Sequence, residues 1–199
     1  MELDPRNTDL YPFLSGVVTP RPIAWITSVS AAGVVNLAPY SFYNVFGDNP
    51  PLVVFSANRK PDGTKKDTLL NVESAGEFVI NTAVARLAEA VNLTSKVFPH
   101  DESEVPHVGM TLLPGVKVKV PRVAESPAHL ECVVREVKSY GTHPGAPTLV
   151  IGEVVWVHLD DAATIDGLPD PLKLQTLGRL GGTFWCDTSK ALFEQARPT

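Results

Sequence analysis

The chain has little of what staples a fold, spans a bilayer or grips a polyanion. Cys132 and Cys186 are its only two cysteines in 199 residues, too few for a disulfide framework. Cys132 lies in a strand-like apolar run and reads as a small buried hydrophobe. Cys186 follows Trp185 without a nearby histidine pattern and is given no catalytic role. No apolar run reaches the roughly 20 residues of a membrane-spanning helix. The first residues, MELDPRNTDLYPF, lack the cationic, apolar and small-residue succession of a secretion signal. Without such a signal, the sequon Asn92-Leu93-Thr94 carries no weight. Positive charge is scarce too: 17 Lys and Arg stand against 22 Asp and Glu, for a formal charge of −5. That balance argues against non-specific nucleic-acid binding, which needs a basic surface to displace counterions. These absences predict a cytoplasmic protein with neither a nucleic-acid nor a membrane partner. They leave room for a local cationic pocket, on which net charge is silent.

The remaining composition, 44% hydrophobic and 20% charged, is that of an ordinary globular domain long enough to enclose a core. A single domain is expected over 1–199, with its core at about 14–182 and a C-terminal tail at 183–199. The chain is organised around Thr19–Asn44, where two apolar strands, Ile23–Val29 and Val34–Ala38, flank a turn at Ala32-Gly33. Before it, Glu2–Ser15 forms a leading segment in which Pro12 prevents a long helix. After it, Asp48-Asn49-Pro50-Pro51 is a rigid break, and Leu52–Ala57 is a strand apolar enough to be covered on both faces. A polar loop, Asn58–Thr68, turns at Pro61-Asp62-Gly63. A helix then runs from Asp67 or Thr68 to about Ala75 and ends at Gly76. Glu77–Asn81 is a strand, and the spacing of Val84, Leu87, Ala88 and Val91 predicts a helix over Ala83–Asn92. Further strands are expected at Val116–Val120, Leu130–Ser139 and Thr148–Asp160, the last two forming a hairpin about Pro144, Gly145 and Pro147. In the tail, LGRLGGTFW implies a tight path at Gly178, Gly181 and Gly182. At least six strands with two short helices between them, and no GxGxxG after a strand, favour an antiparallel barrel over a Rossmann sheet.

Candidate chemistry is concentrated in two places. Arg59, Lys60, Lys65 and Lys66 precede a helix start that offers the Thr68 hydroxyl and free backbone N–H groups, the ingredients of a phosphate cradle. The same residues also fit a solvated basic loop, with Asp67 as a plain N-cap. The second place is the hairpin with Arg21, Thr27, Ser28, Asn36 and Ser41. Strand alternation forbids Thr27 and Ser28 from facing the same side, and Pro39 withdraws an N–H from the local ladder. His100, Asp101, Glu102, Glu104 and His107 are metal-ligand types, but Pro99 and Pro106 and the lack of HExxH spacing favour a solvated loop, so no metal site is assigned. Glu153 and His158 fall on opposite faces of one strand, and there is no GxSxG elbow. The lack of an acid–base constellation fits a cofactor that carries its own chemistry.

The ordered succession RPIAWITS, NLAPYSFYN, DNPPLVVFS, KKDTLLN, EFVIN, ESPAHLEC and GEVVWVHLD resembles the flavin reductase-like family, which includes flavoredoxins. The resemblance runs from about Leu14 to the GRLGG segment. It implies a mainly β fold with short helices, an antiparallel, Greek-key type FMN-binding split β-barrel. It also implies a homodimer with FMN at the subunit interface. Carried onto this sequence, it makes Arg21, Thr27 and Ser28 FMN contacts. Asn36, Ala38, Pro39, Tyr40 and Ser41 would border the isoalloxazine and ribityl chain, and Asn58, Arg59, Lys66, Asp67 and Thr68 would lie near the phosphate. The implied activity is NAD(P)H-dependent FMN reduction, with NADH or NADPH as donor and electrons passing to an acceptor such as a monooxygenase component. The alternative is a flavoredoxin-like electron carrier without efficient direct NAD(P)H oxidation. A Tyr is expected shortly after the double Gly; this chain has Phe184 and Trp185 there.

Overall fold

The computed structural model describes residues 1–196 and 198. A short helix, α1 (Tyr11–Val17), precedes β1 (Arg21–Pro22), β2 (Ala24–Val29), β3 (Val35–Tyr40), β4 (Tyr43–Asp48) and β5 (Pro51–Asn58). Then come α2 (Asp67–Ala75), β6 (Glu77–Thr82), a 3-10 turn at Ala85–Leu87, α3 (Ala88–Leu93) and α4 (Val105–Val108). The pair β7 (Leu112–Leu113) and β8 (Arg122–Val123) is followed by the long hairpin of β9 (Ala128–Ser139) and β10 (Pro147–Leu159). The chain closes with β11 (Thr164–Ile165), β12 (Leu168–Pro169), α5 (Pro171–Leu174), β13 (Leu177–Arg179) and β14 (Trp185–Asp187). Among the described residues no helix is long and apolar enough to cross a membrane.

Seven strands form one antiparallel sheet in the order β3-β2-β6-β9-β10-β5-β4. Its two edges, β3 and β4, are separated in sequence only by Ser41 and Phe42. Three Cα–Cα steps reach at most about 11 Å, so the sheet must roll until its edges almost meet. No ladder joins β3 to β4, and the barrel stays split along that seam. A smaller sheet, β1-β13-β14, brings the tail back beside the start of the hairpin.

Strand β2 shows why the apolar run at its start is continuous. Ala24 and Ile26 enter the barrel core with Phe55, Phe78 and Val150, and α2 contributes Leu69 and Val72 to it. Ile23 and Trp25 face the other way, into a second cluster with Leu37, Leu87, Val91 and Leu177. Each side chain withdrawn this fully from water contributes about 1.5–3 kcal/mol. Trp25 also satisfies its indole N–H on Thr94 Oγ1 at 2.9 Å.

Several sequence expectations are corrected. Pro12 stands in the first turn of α1, where a missing N–H costs nothing. A strand was missed: Tyr43–Asp48 forms β4, and the Asp-Asn-Pro-Pro break is the turn of its hairpin with β5. In β5 burial alternates between buried and half-buried, so only one face lies in the core. Asp67 is not the N-cap of α2: Lys66 holds that position, without a side-chain cap, and Asp67 begins the helix. The helix expected over Ala83–Asn92 is a 3-10 turn that passes into α3. Val116–Val120 is not a strand, because the buried Glu131 carboxylate takes the N–H groups of Val116, Lys117 and Val118 at 2.7, 2.6 and 3.1 Å. Its valines still pack, with Val118 and Val120 covering Val79.

Candidate functional site

Two adjoining cavities lie along the outer edge of β3, by the β3–β4 turn and the loop before α2. The larger, of about 280 Å³, is lined by Pro39, Tyr40, Ser41 and Phe42 along the β3–β4 turn. Asn58 closes β5, Lys66 stands before α2, and Arg179 and Trp185 reach in from the tail. The smaller, of about 80 Å³, lies between Asn36, Ala38, Asp67, Thr68 and the Ser95–Phe98 loop. Pro39, Tyr40, Lys66 and Ser95 border both.

Local architecture aims these groups. As an edge strand, β3 leaves every second backbone position unpaired on its outer side. Leu37 shows the direction, since its N–H turns away from β2 to the Glu104 carboxylate at 2.8 Å. Pro39, two residues on, shares that outer side. The ladder to β2 therefore continues past it to Tyr40 instead of breaking there. Helix α2 is stitched to the hairpin twice: Asn36 Nδ2 donates to Thr68 Oγ1 at 2.8 Å, and Asn71 Nδ2 to Ser28 Oγ at 3.1 Å. Its first turn consequently faces the cavities, where the N–H groups of Asp67 and Thr68 have no acceptor among the described residues.

The cations of the Asn58–Thr68 loop are unequal. Asp67 takes Lys60 at 3.1 Å and His100 Nδ1 at 2.5 Å. Burial works to raise the Asp67 pKa, but these two partners outweigh it and hold the carboxyl below its ordinary value. Lys65 is paired with Glu73, and Arg59 donates to the Gly63 carbonyl at 2.9 Å. Lys66 has no carboxylate partner among the described residues; its Nζ stands 5.3 Å over the Tyr40 ring. Burial, with Lys60 nearby, pushes its pKa below the ordinary lysine value. Two buried polar atoms at this junction, Tyr40 Oη and Asn58 Oδ1, lack a well-formed hydrogen-bond partner.

Asn36, Ala38, Pro39, Tyr40, Ser41, Asn58, Lys66, Asp67 and Thr68 thus line the two cavities. Four other residues singled out in the sequence do not. Arg21 is buried and clasps the chain, donating to the carbonyls of Ser15, Val18 and Leu180. Thr27 is buried on the opposite side from Ser28 and bonds the Pro121 carbonyl at 2.6 Å, while Ser28 is engaged by Asn71. Arg59 bonds the Gly63 carbonyl within its own loop. The metal-type residues go separate ways: His100 to Asp67, His107 to Glu102 at 2.6 Å, and Glu104 inward to Leu37. Tyr11, Ile23, Phe42, Ser95, Arg179 and Trp185 were not anticipated as lining residues. They come from segments far apart in the chain, and no local pattern marks them.

The open-seamed antiparallel barrel thus carries a half-buried cation and a helix start beside the β3 edge. The flavin reductase like domain model matches residues 16–173, and the chain belongs to that family. Nitrilotriacetate monooxygenase component B from Bacillus cereus is 33% identical, with a TM-score of 0.90 over 100% of this chain and 98% of that one. The 2-nitrobenzoate 2-nitroreductase NbaA of Pseudomonas fluorescens is 30% identical, with a TM-score of 0.89 over 100% and 97%. A Shewanella frigidimarina NCIMB 400 protein with a split barrel domain is 25% identical, with a TM-score of 0.80 over 99% and 93%. The fold of this chain is that split barrel.

Proposed function

We propose that the protein binds FMN along the β3 edge, accepts a hydride from NADH or NADPH there, and passes the electrons to an acceptor such as a monooxygenase component. The observation that carries this reading is the junction at Tyr40 and Lys66. A half-buried ammonium without a carboxylate partner, two N–H groups without acceptors at a helix start and two buried polar atoms without a well-formed partner, among the described residues, line these adjoining cavities. These groups fit FMN. Lys66 and the first turn of α2 would hold its phosphate, since both are suited to a dianion. Ile23, Pro39, Tyr40 and Phe42 would pack against its ring, and the outer edge of β3 would supply backbone groups to the polar ring edge. FMN, when bound, provides the hydride-accepting centre at flavin N5. The chain's part is to fix two rings face to face and exclude water from them.

The larger cavity is open on the side of Tyr11 and Phe42, 60% and 39% exposed. A second copy of the chain would cover that side, giving a homodimer with the cofactor at its interface. The similarity to a monooxygenase component B supports transfer of the electrons to an oxygenase partner.

The test is a visible spectrum of the protein titrated with FMN, followed by anaerobic NADH or NADPH. Saturable flavin binding and rapid bleaching by one nucleotide are expected. Bleaching only by a chemical reductant would assign an electron carrier instead, and absence of flavin binding would overturn the reading.

A further inference from the structure

The glycine-rich segment around Arg179 supplies a wall of the larger cavity that flavin phosphate binding leaves unused. Two close approaches fix its path. A Cβ at Gly178 would lie 2.7 Å from Cys186 Sγ and 2.8 Å from Pro20 Cβ; one at Gly181 would lie 2.9 Å from Gly16 Cα. Between them Arg179 is locked in place. Its Nη1 donates to the Phe184 carbonyl at 2.9 Å, its Nη2 to the Gly182 carbonyl at 2.7 Å, and its guanidinium lies 5.0 Å over the Trp185 ring. A guanidinium carries five N–H donors, so the remaining ones stay available at the cavity wall.

Among the described residues the larger cavity is lined by two cations, Lys66 and Arg179, and by no Asp or Glu. They come from different parts of the fold, Lys66 from the loop before α2 and Arg179 from β13. A pre-organised, planar guanidinium is suited to phosphate oxygens in a way a mobile ammonium is not.

We infer that Arg179 is a specificity-determining residue that receives the pyrophosphate of the dinucleotide hydride donor at the wall of the larger cavity. This assignment rests on the hydride-transfer reading above. The tail reaches this wall through two positions where an added Cβ would force a neighbour to shift.

Calorimetric titration with ADP-ribose, which carries the pyrophosphate but no hydride, tests recognition apart from turnover. For the FMN-loaded Arg179→Gln variant, ADP-ribose binding should weaken by about tenfold or more, with FMN affinity within about twofold of wild type. Arg179→Lys, which keeps the charge and loses the fork, should recover part of the loss. If Arg179→Gln also loosens the 180–184 turn, the lysine variant decides: tighter binding than the glutamine variant supports the assignment, and equal loss in both overturns it. Weakened FMN binding with unchanged ADP-ribose binding would hand Arg179 to the flavin and overturn it. So would equal ADP-ribose affinity in wild type and Arg179→Gln, or no ADP-ribose binding by wild type. Should the protein take up no FMN, the flavin reading falls, and the same comparison on the flavin-free protein still judges Arg179.

Discussion

Lys66 and Asp67 are adjacent in sequence and opposite in role. The Asp67 carboxylate is bonded to Lys60 at 3.1 Å and His100 at 2.5 Å, whereas the Lys66 ammonium stands over Tyr40 with no carboxylate partner among the described residues. By occupying Lys60, Asp67 prevents that cation from competing for an incoming anion, and Lys66 is left as the unpaired charge at the first turn of α2.

Replacing Lys66 by Ala should therefore weaken FMN binding by about ten- to a hundredfold, the range of one charge-assisted hydrogen bond. Riboflavin, which lacks the phosphate, should bind wild type and variant alike. Fluorescence titration of both flavins checks this, and equal FMN affinity in the two proteins would remove Lys66 from the site. Adding Thr68→Ala should weaken FMN further and, by deleting the acceptor of Asn36 Nδ2, lower the melting temperature slightly.

His129 predicts the acid limb of stability. Its Nε2 donates to the Val123 carbonyl at 2.7 Å, and Nδ1 is buried without a partner. Burial pushes its pKa down from 6.5 to about 4. Between those values the unfolded chain takes up a proton that the folded chain refuses. Stability is therefore complete above pH 6.5 and declines as the pH falls towards 4, by about 3 kcal/mol at most. Urea unfolding of wild type and His129→Gln across that window should show a shallower decline in the variant; parallel curves would refute the assignment.

Glu131 should prove structural. Its buried carboxylate accepts three backbone N–H groups and His158 Nε2, the last at 2.6 Å. Glu131→Gln removes the charge that holds them and should cost about 2–4 kcal/mol. Amide exchange should accelerate first at Val116–Val118. A loss of stability without faster exchange there would point to another cause.

Gly152 lies under Phe78: an added Cβ would come within 2.5 Å of its Cζ. Gly152→Ala should destabilise the protein by about 1–3 kcal/mol through overpacking of the barrel core. Denaturant unfolding measures it, and a neutral result would mean that the ring can shift at no cost.

Local segments were legible in the chain itself. The helix Asp67–Ala75 was readable because its stop, Gly76, adopts a left-handed conformation that glycine tolerates, and Leu69 and Val72 give it an apolar side to bury. The β2–β3 and β9–β10 hairpins announced themselves by turn residues between apolar runs. The same motifs carried the family resemblance, and with it the residues on β3 and before α2 that line the two cavities. What the chain alone could not disclose depended on partners remote in sequence. Val116–Val120 has the residues of a strand, but a carboxylate brought in by β9 takes its donors. That Thr27 and Arg21 bond the carbonyls of Pro121 and Leu180 could not be read from the chain either. Arg179 and Trp185 gain a position beside Tyr40 only because the rolled sheet and the small β1-β13-β14 sheet bring the tail to the seam. Hydrogen-bonding capacity is written in the sequence; tertiary contact decides which groups meet a partner and which stay free for a ligand.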